Sequence, residues 1–432
     1  MTIALAILLA IISLWPLANY LIKPRQDPFH PLLFVGATTF FVADVGVFAN
    51  HQLALRLVSD HDLSVFLVVV ILSLLGFYAG WFRQRRKEPV LQMMAAPAEY
   101  RPNTILNCAL GLAVIGVSIA LYTREDYTIT GYLRDLGGLW VAAAILAIEA
   151  MFLNPTMGGV GLLTATLCLI PPIDRFFSYG QRGDTFRIAL LTMPFYMLRN
   201  RRPAKIVFVP AAIFLAVTLG TLERTRTLLG EGEATSRIDA LFKVIPSFFQ
   251  ETRNIKNYAA KEYIYGAAMV ATVRDDQSYE YGAFLYNIGV RFIPKEAFDK
   301  LGYFTQWNNT NYNALVGGHA GFDVPGGAAP TGFAHLFVEF GWAAPFAWLL
   351  LGSLARWMYA RAVYGHDLAS IGYLAAFFIV LLYLMTQDLL TSTMNAIYTF
   401  PILYFVYRAA RIPQTHTEEM LEQPLHPQID AV

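Results

Sequence analysis

The chain reads as an all-α membrane protein: a polytopic bundle of about eleven transmembrane helices with one large extracytoplasmic loop. Three observations predict this. Of 432 residues, 56% are hydrophobic and only 15% charged, whereas an ordinary soluble domain is about 45–50% apolar and about 25% charged. Apolar runs of about 20 residues, enough to cross a bilayer as helix, recur along the chain. The loops between them alternate between rich and poor in lysine and arginine. The apolar excess excludes a soluble enzyme, a disordered chain and a secreted disulfide scaffold. A net charge of +1 leaves no bulk field for nucleic acid. Cys108 and Cys168 lie in apolar stretches and read as small core residues, not a bridge.

Taken in order, the spans are expected near 2–22, 32–49, 63–82, 103–122, 136–154, 157–173, 186–198, 206–222, 332–355, 368–386 and 395–408. The first lacks a preceding basic residue and a small-residue cleavage site, so it reads as a retained helix. One set of alternate loops holds fifteen basic residues, among them Arg83, Arg85, Arg86, Lys87, Arg101, Arg356, Arg361, Arg408 and Arg411. The opposite short loops hold six: Arg56, Arg124, Arg134, Arg175, Arg182 and Arg187. The richer set belongs in the cytoplasm, which puts the N-terminus outside and the C-terminus inside. The chain divides into an N-terminal bundle (1–222), an extracytoplasmic loop (223–331), C-terminal helices (332–411) and a polar cytoplasmic tail (412–432).

A connection as long as 223–331 is expected to form a lid or small domain. Ile238, Leu241, Phe242, Ile245, Phe248 and Phe249 recur at helical spacing, and 303–331 is Gly-, Asn- and Pro-rich irregular loop. Its aromatics include Tyr263, Tyr265, Tyr279, Tyr281, Tyr286 and Trp307. They form either a surface for sugar C–H faces or a belt at headgroup level. Its eleven basic and twelve acidic residues balance, so any anion site there must be built from a few placed arginines, whose planar forks suit phosphate.

Three segments could carry chemistry. Between Asp174 and Arg187 lie Arg175, Arg182 and Asp184, with Arg187 itself as a third arginine. A pyrophosphate at the membrane surface would explain three arginines in an outer segment. Pairing with Asp174 and Asp184, with Arg187 snorkelling, would explain them equally. Arg291 sits among apolar residues, either paired or reaching into a polar cleft. In Pro325–Trp342 a glycine-rich stretch turns into a helix with His335 and Glu339 four apart, on one face. Such intramembrane groups are costly and usually functional, unless they only bond each other. Asp60-His61-Asp62 is either a metal-binding pair of carboxylates or a helix cap. Asp44 and Glu149 within spans are either proton-relay groups or structural pairs. His319 is a candidate general base. Nucleotide, zinc and serine-hydrolase motifs are absent.

This constellation resembles the oligosaccharide repeat-unit polymerases of bacterial surface polysaccharide assembly (Wzy type), which make O-antigen, capsule or exopolysaccharide. Those proteins are similar in span number, in one large outer loop, and in an arginine-rich outer segment like Ser178–Asp184. Gly332, Glu339 and Gly341 resemble the family's late loop-to-helix signature, and Arg291 followed by Gly302 matches a spacing some members carry. Arg175, Arg182 and Arg187 have Phe186, Met193 and Leu198 at that distance, so a second copy is missing. The resemblance implies a glycosyltransferase of the bacterial inner membrane. It implies an undecaprenyl-pyrophosphate-linked oligosaccharide as donor and acceptor, a chain-length regulator as partner, no cofactor and no metal. It implies catalytic roles for Arg182, Arg291, Asp184 and Glu339, and substrate contacts for Arg175, Arg187, His319, His335, Trp307 and Tyr286. An O-antigen ligase and a lipid-linked oligosaccharide flippase are the rival expectations.

Overall fold

The computed structural model describes residues 1–22, 29–84, 98–123, 136, 138–179, 182–199, 235–236, 239–240, 242–243, 260–282, 331–364, 367–387 and 389–412. Among these, regular structure is helical apart from an isolated antiparallel bridge, Tyr100 with Arg411. Among the described residues, seven helical stretches, some of them broken within, are long and apolar enough to cross a membrane, against the eleven spans expected. Of the remainder, 139–153 is apolar but short, 182–198 and 389–410 are helical and more polar, and 206–222 lies outside the described residues.

Helix α1 (Thr2–Ile22) packs against α2 (Pro31–Thr39), which starts on a proline, where its missing N–H costs nothing. Expected to end near 49, this helix instead continues through a π-helical turn, Phe40–Asp44, into α3 (Val45–Leu57). The wider turn sits where Asp44 is wholly buried, taking a hydrogen bond from Ser13 Oγ at 3.1 Å. Helix α4 (Asp60–Gln84) opens on a Ser59 cap: the Asp62 N–H donates to Ser59 Oγ (3.1 Å), and Ser59 Oγ in turn donates to Asp62 Oδ2 (2.5 Å).

Helices α5 (Pro102–Tyr122) and α6 (Leu139–Leu153) pair closely. Asn154 then accepts from the Thr156 N–H and turns the chain through a short 3₁₀ segment into α7 (Gly158–Leu167). The expected span 157–173 is broken before Pro171-Pro172, giving α8 (Ile170–Tyr179) and, after it, α9 (Arg182–Leu198).

Inside the expected loop 223–331, α10 (Ala260–Asp276) packs against α3, α4 and the later α11. Tyr263 and Tyr265 are therefore core residues, Tyr263 resting on Phe66 at 5.8 Å between ring centres. Of the expected amphipathic helix, Asp239, Ala240, Phe242 and Lys243 are described and helical.

The expected span 332–355 is two helices, α11 (Thr331–Phe340) and α12 (Ala344–Tyr364). Gly341 at φ +55° breaks the run, a conformation glycine adopts without a Cβ penalty. Fifteen residues of straight helix would separate Phe333 from Trp348 by about 22 Å. Their rings instead stack at 4.6 Å, so α11 is bent back against α12. Helices α13 (Leu368–Thr386) and α14 (Leu389–Ala410) complete the bundle.

Two core clusters result, one around α1–α4 and α10–α12, the other around α5–α7 and α14. Both include residues of α13, which is buried around nearly its whole circumference. The closest crossing joins α4 to α12. Gly76 and Gly80 on α4 lie against the backbone carbonyls of Pro345 and Leu349, and Gly352 on α12 against that of Phe77. Small residues four apart let membrane helices approach to backbone contact.

Candidate functional site

The 98–101, 356–364 and 408–412 stretches meet at one end of the bundle, where Arg101 N–H donates to the Ala410 carbonyl and Ile412 N–H to that of Glu99. At the opposite end the chain's first residues meet α4, with Thr2 Oγ1 donating to Asp60 Oδ1 (2.6 Å). Of the three segments singled out for chemistry, 174–187 and 325–342 are described in part, and the one around Arg291 lies outside the described residues.

Helix α11 brings its ionisable pair inside. One helical turn places Glu339 Oε1 at 3.7 Å from His335 Nε2, both side chains buried. The Gly282 N–H donates to Glu339 Oε2 at 2.9 Å, and the Glu280 N–H to the Val338 carbonyl at 2.9 Å. Residues 279–282 thus strap the C-terminal end of α11. Tyr279 lies over Phe337, 5.8 Å between ring centres, and fills the space beside Gly341 where a side chain would stand. Tyr281, the next ring, is 77% exposed. Glu339 Oε1 receives no hydrogen bond among the described residues. A carboxylate oxygen held beside an imidazole is equipped to pass a proton. So His335 and Glu339 do meet, and Glu339 has a backbone partner besides.

Arg187 is the second buried group, 7% exposed on α9. Its Nη2 donates to Asn395 Oδ1 of α14 at 3.0 Å. Its guanidinium carbon stands 4.4 Å from the ring centre of Tyr383 (α13) and 5.9 Å from that of Trp140 (α6). Four helices therefore hold one arginine, and stacking on a ring face in a desolvated place is among the stronger contacts of its kind. It does not snorkel outward. Tyr383 is also the neighbour of Leu384, against whose carbonyl Gly332 of α11 packs. The arginine and the His335–Glu339 helix thus flank the same end of α13.

The other expected residues are distributed as follows. Arg175 is half-buried on α8. Arg182 begins α9 and Asp184 lies in its first turn. Arg291, Tyr286, Trp307 and His319 lie outside the described residues. In the Asp60-His61-Asp62 segment, Asp60 is bound by Thr2, and Asp62 accepts from the Ser59 hydroxyl and forms an ion pair with Arg274 Nη2 at 2.8 Å. No group of three potential metal ligands occurs among the described residues. Asp44 pairs with Ser13, and Glu149 Oε2 accepts from Tyr407 Oη at 2.7 Å, so both have structural partners.

Sequence reasoning missed Asn395 and Tyr383 as partners of Arg187, residues 208 and 196 positions away that no local pattern links. It also missed Gly76-x-x-x-Gly80, whose spacing was a readable signal. No family model matches the chain, and comparison with curated proteins and with solved structures likewise finds no match.

Proposed function

We propose that this chain is a membrane glycosyltransferase that polymerises lipid-linked oligosaccharide repeat units into a bacterial surface polysaccharide. The observation that carries the reading is that buried Arg187 and the helix carrying the buried His335–Glu339 pair both pack at one end of α13. Intramembrane ionisable groups of this kind are kept for function by default. In this reading an acceptor sugar hydroxyl attacks the anomeric carbon of the donor. The bond from that carbon to undecaprenyl pyrophosphate breaks, and the hydroxyl proton passes to a base. Glu339, steadied by Gly282 and His335, is the base we assign. Arg182 and Arg291 receive the departing pyrophosphate, with Arg175 as a helper and Asp184 as a rival base, and forked guanidinium contacts stabilise the charge as it develops. Arg187 acts through the placement of α9. The loop charges put this end outside the cytoplasmic membrane, with the N-terminus outside and the C-terminus inside.

The test is the surface-glycan profile of a deletion strain. Loss of polymer, with single-repeat product still attached to its final carrier, supports the polymerase. A bare carrier with long polymer accumulating on undecaprenyl pyrophosphate means a ligase. The second reading is a flippase, which would use Asp44 Oδ1 and Glu149 Oε1, buried oxygens that receive no hydrogen bond among the described residues. Its mark would be lipid-linked single repeats trapped on the cytoplasmic side.

A further inference from the structure

At the end of the bundle away from Glu339, the structure contains a pocket of about 560 Å³ whose walls come from α12, α13, α14 and the segment before α5. That volume is within the range of small-molecule sites. Three arginines line it: Arg361, Arg408 and Arg411. The acid in the wall, Asp367, is already committed. Its Oδ2 accepts from the Ser370 N–H (3.2 Å) and Ser370 Oγ (2.8 Å) as the cap of α13, and its Oδ1 accepts from Tyr100 Oη (3.1 Å). Burial, and then the Asp367 carboxylate, push the Tyr100 hydroxyl well up, so it stays a neutral donor. Tyr407, also in the wall, donates a hydrogen bond from its hydroxyl to Glu149.

The arginines are not matched in this way. Arg408 Nη1 reaches the hydroxyl of Tyr404 at 3.1 Å, and Arg361 lies over Trp357, 5.1 Å from the ring centre. Among the described residues no carboxylate is within ion-pair distance of any of the three. The pocket therefore carries three exposed cations against one satisfied acid. Its rim is amphipathic: Trp357 and Tyr404 both line it and stand 38% and 49% exposed, and Phe405 beside Tyr404 is 66% exposed. Aromatic residues at helix ends beside exposed apolar surface mark the membrane–water interface.

We propose that this pocket binds the phosphate headgroup of an anionic phospholipid, with Arg361, Arg408 and Arg411 on the phosphate and the acyl chains running past Trp357 and Phe405. A free phosphate ester offers the same anion, but it would gain nothing from the apolar rim. The site is independent of the proposed transfer chemistry at the other end.

The full-length protein in detergent is titrated with phosphatidylglycerol, and separately with phosphatidylcholine, by native mass spectrometry. Water-soluble glycerol phosphate serves as competitor. Phosphatidylglycerol is expected to be retained in clear preference to phosphatidylcholine, and glycerol phosphate at equal concentration should not displace it. Each arginine removed should weaken retention about fivefold, so the double variant R408Q/R411Q loses about 25-fold and R408K/R411K much less. Arg361→Gln, on a different helix, should lose about fivefold and guards against a folding failure of the double variant. Equal binding of the two lipids, or undiminished binding by these variants, would overturn the proposal. So would displacement by glycerol phosphate, which would identify a soluble anion site.

Discussion

Replacing Arg187 by methionine keeps the length of the side chain and removes the charge, the fork and the stacking plane. The loss follows from the geometry. A hydrogen bond to a charged group, here Nη2 to Asn395 at 3.0 Å, contributes about 1.5–3 kcal/mol. A desolvated guanidinium over a ring, here 4.4 Å from the centre of Tyr383, contributes about 2 kcal/mol. Methionine recovers part of the packing, so the net loss should be about 2–4 kcal/mol. Lysine keeps the charge without the planar fork and should lose about half of that. The assay is equilibrium unfolding of the purified protein in mixed micelles, read by tryptophan fluorescence. Arg182→Ala is the companion variant. It stands at the first position of α9 and should leave stability near wild type while polymer yield falls about 100- to 1,000-fold. If Arg187→Met unfolds within about 0.5 kcal/mol of wild type, the small shift typical of a surface substitution, the four-helix junction is not load-sharing and this reasoning fails.

Gly80→Ala should destabilise the bundle by about 1–3 kcal/mol, because the new Cβ would stand 2.9 Å from the Ser353 nitrogen and closer still to the Leu349 carbonyl. Gly111→Ala on α5, with nothing within 4 Å, should stabilise by about 0.5–1 kcal/mol; both are read from the same unfolding curves. Glu339→Ala should cut polymer yield more than His335→Ala. It should also speed proteolysis near Gly282, whose N–H loses its acceptor, whereas equal yields in the two variants would remove Glu339 as base. Polymer formation by purified protein should persist in excess chelator, since arginines serve the pyrophosphate, and activity restored only by magnesium would refute that. A cysteine placed at position 310 should react with an impermeant reagent in intact cells, and labelling only after the cytoplasm is opened would reverse the topology.

The membrane class was legible before any coordinates, because composition and apolar run length are sums along the chain that no packing can alter. A helix start near Asp60 was legible, though the capping residue is Ser59 and not Asp60 or Asp62, and so was the shared face of His335 and Glu339, which are one turn apart. The tertiary structure decided what those faces meet. Four positions show why. Gly341 was legible only as one residue of a loop-to-helix signature inside an expected span, but its φ of +55° turns that span into two helices. Tyr263 and Tyr265 have the composition of a ligand surface or a headgroup belt, and the packing of α10 on α3 and α4 makes them core. Arg187 looks like a surface arginine until α6, α9, α13 and α14 converge on it. Burial is a property of pairs of distant segments, so its outcome depends on which helices come together, and a linear pattern records only what each helix could offer.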